Sequence, residues 1–406
     1  MPHGIPPLQL RDYTYDLPSG RIAMYPLPER DASKLLVSRS DGIIDHRVFC
    51  ELPEILPAGS TLVVNRTRVI HARLRMQKPT GGMVEVFLTR PVAPSADPSV
   101  VLASADVSTW ECLLGGRNIR EDMELMHEAT GLRATVVQRQ GAEAHVTLTW
   151  ADDRPLAEIL VHAGDIPLPP YIKRETDSDD KQRYQTVFAQ VEGSVAAPTA
   201  SLHFTDRVLH DLDANDVKRV DVTLHVGLGT FKPVEVEDAA DHDMHRERFG
   251  ITRQSAALLA ERARSQQPWL TVVGTTALRT VESLFCVGAR IARDGIETVT
   301  SLDVGQWEAF DSSLDSVSRA EAMAAIVQWL DAHGVDEAWG DTGIMLAPGC
   351  RIAMADALVT NFHQPGNTLL LLVAAFIGER WRDVYASALA NDYRFLSYGD
   401  SSLLIR

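Results

Sequence analysis

The chain has two textures, and the place where they alternate limits its architecture more than any single motif does. Residues 60–65 (STLVVN) form a short, β-branched apolar run that ends in the polar cluster Asn65-Arg66-Thr67-Arg68. That is the pattern of a buried strand and its following turn. Trp269-Leu270-Thr271-Val272-Val273 runs in the same way into Gly274-Thr275-Thr276 and then a helical pattern from Ala277 to Arg290. Ala357-Leu358-Val359-Thr360-Asn361-Phe362 repeats the arrangement, with His363-Gln364-Pro365-Gly366-Asn367 as the turn and a long apolar helix after it. A strand-like stretch, 220–226, and a helix-like one, 255–265, lie between them. Strand, polar turn, helix is how α/β domains are built. Residues 72 to about 150 read differently. No amphipathic helix interrupts them, their apolar runs are short, and LRATVVQ and AHVTLTW flank Gln140-Gly141 as a hairpin. The sequence therefore predicts an α/β main domain, residues 1–70 plus 155–406, interrupted by a small all-β, barrel-like domain at 71–154.

Composition excludes several classes. At 406 residues, with 45% hydrophobic and 23% charged, the chain is globular. A formal charge of −16 means that its overall field does not attract nucleic acid; such a partner requires a local basic patch. Arg66, Arg68, Lys173, Arg174, Lys181 and Arg183 lie near the motif turns and could supply one. The four cysteines have no CxxC spacing, which argues against a zinc ribbon or a redox pair and for reduced, mostly buried thiols. The N-terminus has no basic start followed by an apolar run. The longest greasy stretch, 369–378 (LLLLVAAFIG), is about half the length that crosses a bilayer. A soluble, cytoplasmic, monomeric protein with no membrane association is expected. Residues 175–180 (ETDSDD) read as a mobile acidic loop.

Ligands of open α/β sheets bind where strands end and helices begin, so the turns carry the information. Gly274-Thr275-Thr276 opens a helix, whose free N–H groups and positive dipole end suit a carboxylate or phosphate. Arg279 would add a donor fork. The competing reading is that Thr275 or Thr276 only caps the helix. Gly227-Leu228-Gly229 lacks the third glycine of a dinucleotide fingerprint, and Thr230-Phe231-Lys232-Pro233 blocks a helix start. Neither a P-loop nor a nucleophile elbow is present. His242 and His245, spaced as on one helix face with Glu247 close by, suit a polar corner or a substrate contact better than a metal. The small-residue segment 192–205 lets a backbone approach a ligand, and within it His203 is either an acid–base group or a hydrogen-bonded structural histidine.

Taken together, the motifs carry a resemblance. They are YPLPERDAS (25–33), NRTRVI (65–70), PLPPYIKR (167–174), YQTVF (184–188), GSVAAPTASLHFT (193–205), TLHVGLGTFKPV (223–234), HDMH (242–245), GTTALRTVES (274–283), TNFHQPGNTLLLLVAAFIG (360–378) and YRFLSYGDSSLLI (393–405). In this order they resemble the S-adenosylmethionine:tRNA ribosyltransferase-isomerases of queuosine biosynthesis. The resemblance implies an α/β domain with an inserted β-barrel. It also implies transfer and isomerisation of the ribosyl group of S-adenosylmethionine onto 7-aminomethyl-7-deazaguanine at the tRNA wobble position. Epoxyqueuosine-tRNA, adenine and methionine are the products, and no metal or further cofactor is needed. The alternatives are a paralogue that uses a free 7-deazaguanine and a non-catalytic tRNA- or nucleoside-binding protein.

That chemistry asks for acid–base groups near neutrality and for donors at a developing alkoxide. His203, His225 and His363 are the acid–base candidates. Asn65, Thr67, Arg68, Tyr184, Thr199, Thr275, Thr276 and Asn361 are the substrate-contact candidates, with Arg279 as carboxylate clamp. Four positions depart from the family pattern: Arg66 where Asp is usual, Ser201 where Gly is usual, and Gly366-Asn367 where a basic residue and Ser are usual. They bear on activity and on acceptor identity.

Overall fold

The computed structural model describes residues 8–151, 153–227, 229, 236–265 and 269–406. A nine-stranded sheet forms the spine of the main domain. Its centre is parallel, in the spatial order Lys218–Leu224, Thr61–Asn65, Leu270–Val273, Ala357–Asn361. Glu247–Thr252 and Glu337–Thr342 extend one flank antiparallel. On the other flank Ser401–Ile405 is antiparallel to Ala357–Asn361 and parallel to Lys34–Ser38, which pairs with Ile44–Val48. Every residue of Thr61–Asn65, Leu270–Val273 and Ala357–Asn361 is buried. This is why these segments read as apolar runs rather than alternating ones. Side-chain alternation still sorts them between the two faces. Val63 joins the core formed with helices such as Arg253–Arg264, Gly274–Asp294 and Arg319–His333. Leu62 and Val64 turn the other way, onto Phe49, Phe204 and Leu212.

Between Thr61–Asn65 and its parallel neighbour Lys218–Leu224 the chain makes its excursion. Strands Arg73–Gln77, Met83–Ala93, Val107–Gly115, Glu143–Thr149, Leu132–Gln140 and Glu124–His127 follow one another antiparallel. Pairing of Gln77 with Met126 joins the first to the last and closes a barrel. The hairpin at Gln140-Gly141 forms as its spacing predicts, with Gly141 at φ +65°, a conformation that glycine adopts without strain. Inside the barrel Leu74, Met76, Val86, Trp110 and Val146 make one apolar cluster, which Leu156, Ile159 and Leu160 of helix Leu156–Ala163 join. The chain returns through Val191–Ser194, parallel to Thr67–Val69.

The acidic stretch 175–180 is largely exposed, as its composition predicts, but its last residue is anchored. Asp180 is buried and receives both arms of the Arg174 guanidinium at 2.6 and 2.7 Å, and the Tyr398 hydroxyl donates to it at 2.9 Å. Tyr398 comes from the far end of the chain, so this partner is invisible in the local sequence. The cysteines are free thiols, Cys112 and Cys286 buried. The greasy stretch becomes the buried helix Thr368–Ile377, and among the described residues no helix is long and apolar enough to cross a membrane.

Candidate active site

The four parallel strands all point their carboxyl ends at one edge of the sheet, and a cleft opens there, with about 650 Å³ of empty space open to solvent. Its walls are the motif turns: Gly274, Thr275 and Thr276 from one; Thr360, Asn361, His363 and Gln364 from another; Pro198, Thr199 and Ala200 from the small-residue segment. Tyr171, Leu396, Ser397, Asn367 and Leu369 also line it. This is the crevice in which α/β sheets bind ligands, and its size suits a small molecule.

The turn at 274–276 is built to leave donors unused. Helix Gly274–Asp294 begins after Val273 with no side-chain cap, and Gly274 sits at φ +88°. Neither threonine caps the helix, so the capping reading falls. The opposite helix is different: Asn367 lines the cleft and also caps Thr368–Ile377, its Oδ1 accepting from the Leu370 N–H at 2.9 Å.

The sequence-predicted residues divide into a lining set and a supporting set. Thr199, Thr275, Thr276, Asn361 and His363 line the cleft. Asn65 is wholly buried beneath it. Its amide donates to the Leu224 carbonyl at 2.9 Å and to Thr276 Oγ1 at 3.4 Å, and its Oδ1 accepts from the Thr67 and Leu224 N–H groups at 3.1 Å. Thr67 is buried too, with its hydroxyl 2.9 Å from His225 Nδ1. Tyr184 lies under the floor, edge-on to Tyr398. Arg68 is outside the cleft, 3.9 Å from Glu192.

The three histidines do not meet. His363 lies on the cleft wall, partly exposed, and is held on every other side. Its Nε2 is 3.0 Å from Thr360 Oγ1, its N–H donates to the Tyr385 hydroxyl at 3.1 Å, and its carbonyl accepts from the Tyr15 hydroxyl. Its Nδ1 makes no hydrogen bond among the described residues. His203 is buried behind Asn361, with Nδ1 2.8 Å from Ser33 Oγ. His225 is buried at the seam with the barrel, stacked on Trp339 at 5.8 Å. Burial lowers all three to about 4, because the charged imidazolium loses its hydration; nearby Asp400 opposes this at His203, and Asp97 at His225. All three are neutral at pH 7.

Arg279 lies one turn beyond the threonines, in a second pocket that shares Leu369 with the cleft. Its guanidinium is ion-paired to Glu247 and donates to the Ile344 carbonyl at 3.2 Å. His242 and His245 also line this pocket, but the chain there is extended after a short 3-10 turn, so they do not share a helix face. Among the described residues no group of three His, Cys, Asp or Glu side chains is gathered as a metal would require. Leu228 and 230–234 of the glycine-containing motif lie outside the described residues.

Most of the basic strip is not free charge. Arg66 pairs with Glu337 at 2.9 Å, Arg174 with Asp180, Lys181 with Asp165 at 3.8 Å, and Arg183 donates to backbone carbonyls of residues 27 and 28. Lys173 alone of the six is exposed with no ion pair among the described residues. Of the four family departures, Ser201 is buried behind the cleft, Arg66 faces away toward Glu337, and Gly366 turns at φ +65° ahead of Asn367.

Sequence reasoning passed over Tyr171, Gln364, Leu396 and Ser397, although each lies inside a quoted motif. Leu396 holds a left-handed φ of +68°, with its carbonyl accepting from the Asn361 amide at 3.0 Å. A non-glycine residue in that region stores strain, and such strain collects at functional sites.

Fold and cleft together define an α/β protein with a ligand-sized crevice at the carboxyl edge of its sheet. Comparison with known proteins narrows the class. The sequence matches the queuosine biosynthesis protein family over residues 10–404, and the chain belongs to that family. A relative from Azoarcus sp. (strain BH72), the S-adenosylmethionine:tRNA ribosyltransferase-isomerase, is 40% identical over 98% of this chain and 98% of its own. The protein of the same name from Anaeromyxobacter sp. (strain Fw109-5) is 39% identical over 98% of this chain and 99% of its own. A crystal structure of S-adenosylmethionine tRNA ribosyltransferase from Thermotoga maritima matches 97% of this chain and 100% of its own at 25% identity, with a TM-score of 0.47.

Proposed function

We propose that this chain catalyses the reaction its relatives are named for. It transfers the ribosyl group of S-adenosylmethionine to 7-aminomethyl-7-deazaguanine in the tRNA anticodon and isomerises it, giving epoxyqueuosine-tRNA, adenine and methionine. The observation that carries this reading is the convergence of the family motifs, distant in sequence, on one cleft at the sheet edge. Chemistry belongs to the main domain, 1–70 plus 155–406, around which the unit at 71–154 is an insertion. The reaction calls for no group beyond the two substrates.

His363 is the acid–base residue of the cleft. With its proton on Nε2, facing Thr360, the Nδ1 lone pair is directed to the ligand. Burial holds this imidazole at about 4, below the near-neutral value at which a base works best, so it is neutral at pH 7 and in the form that takes the proton the sulfonium makes acidic at the 5′-carbon. The ribose ring then opens and adenine leaves with the proton that the imidazolium returns, the acceptor amine adds and releases a proton, the carbons close to a cyclopentane, and an alkoxide displaces methionine to form the epoxide. Thr199, Thr275, Thr276 and Asn361 contact the sugar, and the uncapped N–H groups at 274–276 stabilise oxygen charge. His203, held by Ser33, backs the cleft behind Asn361, and His225, through Thr67 and Asn65, positions Thr276. Both are positioning residues, because neither lines the cleft.

The test is incubation of the protein with S-adenosylmethionine and either an anticodon stem-loop bearing the modified base or the free base. Adenine released in step with loss of S-adenosylmethionine, with the stem-loop only, is the expected result. Release with the free base alone would favour the paralogue, and no release in either arm would favour a binding protein.

A further inference from the structure

The cleft and the pocket beside it differ in charge. No Asp, Glu, Lys or Arg is among the described residues that line the cleft. It offers hydroxyls, amides, one imidazole and apolar wall, which suits an uncharged nucleoside. The sulfonium nucleoside of the proposed reaction also carries an amino-acid zwitterion, whose charges are costly to bury without partners. The second pocket, with about 530 Å³ of empty space, holds the charged pair Glu247 and Arg279 against an apolar wall of Ile344, Leu346 and Leu372.

Arg279 is poised rather than fully used. The residue is only 5% exposed, yet among the described residues Nη2 has no hydrogen-bond partner while Nη1 and Nε are engaged. Leaving a buried donor unpaired is costly, and a ligand acceptor would remove that cost. Glu247 keeps the fork in place: its Oε2 takes Arg279, and its Oε1 accepts from the Gly227 N–H at 2.9 Å. Thr275 and Thr276 line the cleft and Arg279 lines the pocket, three and four residues further along the same helix face, with Leu369 common to both.

We propose that this second pocket is the amino-acid subsite. The α-carboxylate of S-adenosylmethionine is held by Arg279 Nη2, the methionyl chain lies on Ile344, Leu346 and Leu372, and Glu247 is the positioning residue of the arginine. The proposal rests on the reaction above and adds to it that the two small products leave from different places, adenine from the cleft and methionine from the pocket. Methionine is therefore a competitive inhibitor against S-adenosylmethionine.

Calorimetry with two ligands tests it: S-adenosylmethionine and 5′-methylthioadenosine, which keeps the nucleoside and lacks the amino-acid end. The proteins are wild type, Arg279→Lys, which retains the ion pair but loses the second donor arm, and the double variant Glu247→Gln/Arg279→Gln. In both variants the Kd for S-adenosylmethionine should rise roughly ten- to a hundredfold, as for loss of a charged hydrogen bond, with methionine inhibition lost. The Kd for 5′-methylthioadenosine should stay within about twofold. If the double variant does not fold, by circular dichroism, Arg279→Lys decides. Equal weakening of both ligands, or of neither, overturns the subsite. So does a loss confined to the anticodon stem-loop, which would give the pocket to the acceptor base. Failure of wild type to bind either ligand even with the anticodon stem-loop present would instead sink the proposed function.

Discussion

The large sheet and the barrel are made from the same materials, short strands rich in Val, Leu and Ile, yet the cleft walled by the motif turns opens at the large sheet. In the barrel each strand pairs on both sides, and the interior is filled by apolar side chains around Trp110. Closure leaves no common edge at which the chain must change direction together. In the large sheet four parallel strands end side by side, two of them in a buried asparagine, Asn65 and Asn361, and the polar turns that follow are forced into one place. The difference teaches that strand direction, more than strand composition, decides where chemistry can gather.

The sharpest way to break this comparison is at the cleft. His363→Gln should lower the single-turnover rate by roughly 10²- to 10⁴-fold, the range for loss of an acid–base group, with S-adenosylmethionine affinity changed little. A rate within threefold of wild type would remove His363 from the chemistry. In the barrel the expected effect is on folding. Trp110→Ala should destabilise by about 3–5 kcal/mol in urea unfolding, while the folded molecules keep their affinity for S-adenosylmethionine. A selective loss of that affinity would mean that the barrel reaches into the site.

Acid probes the supporting histidines. His203 and His225 have folded pKa values near 4, below the ordinary value for histidine, so the unfolded chain takes up protons first as pH falls. Stability should therefore be unaffected by these groups above about pH 7 and decline progressively toward pH 4, by up to about 3 kcal/mol for each. Urea midpoints measured at pH 7 and pH 5 give the slope, which His225→Gln should reduce. An unchanged slope in that variant would mean that His225 is not kept neutral by its burial.

The smallest expected effect concerns the RNA. Because most of the candidate cations are already engaged, Lys173 beside Tyr171 of the cleft wall, without an ion pair among the described residues, and the exposed Arg68, held only at 3.9 Å from Glu192, should each contribute about one unit to the slope of log affinity against log salt. Lys173→Ala and Arg68→Ala binding isotherms with the stem-loop, at several salt concentrations, read this directly. If neither moves the slope, the anticodon arm lies on another face.

Much of this architecture can be read from local pattern. The strands Thr61–Asn65, Leu270–Val273 and Ala357–Asn361, the helix after Gly274 and the hairpin at Gly141 all follow from short-range periodicity and turn chemistry. So does the expectation that the turns are where to look. What local pattern leaves open is pairing at a distance. Asp180 looks like one of a run of solvated acids until Tyr398 arrives from more than two hundred residues away. Arg66 and Arg174 look like RNA-binding cations until Glu337 and Asp180 neutralise them.

The histidines show where the boundary lies. Residue type alone makes His203, His225 and His363 equal candidates, since each is an imidazole beside a motif turn. Only tertiary structure separates them, because whether an imidazole reaches a ligand or supports a neighbour depends on which side of a packed turn it faces. Composition and periodicity thus determined the strands and the turns, and the quoted motifs carried the resemblance to the family. Packing of the parallel sheet decided which side chains open onto the cleft, since burial and hydrogen-bond partners are properties of contacts that the linear order of residues does not contain.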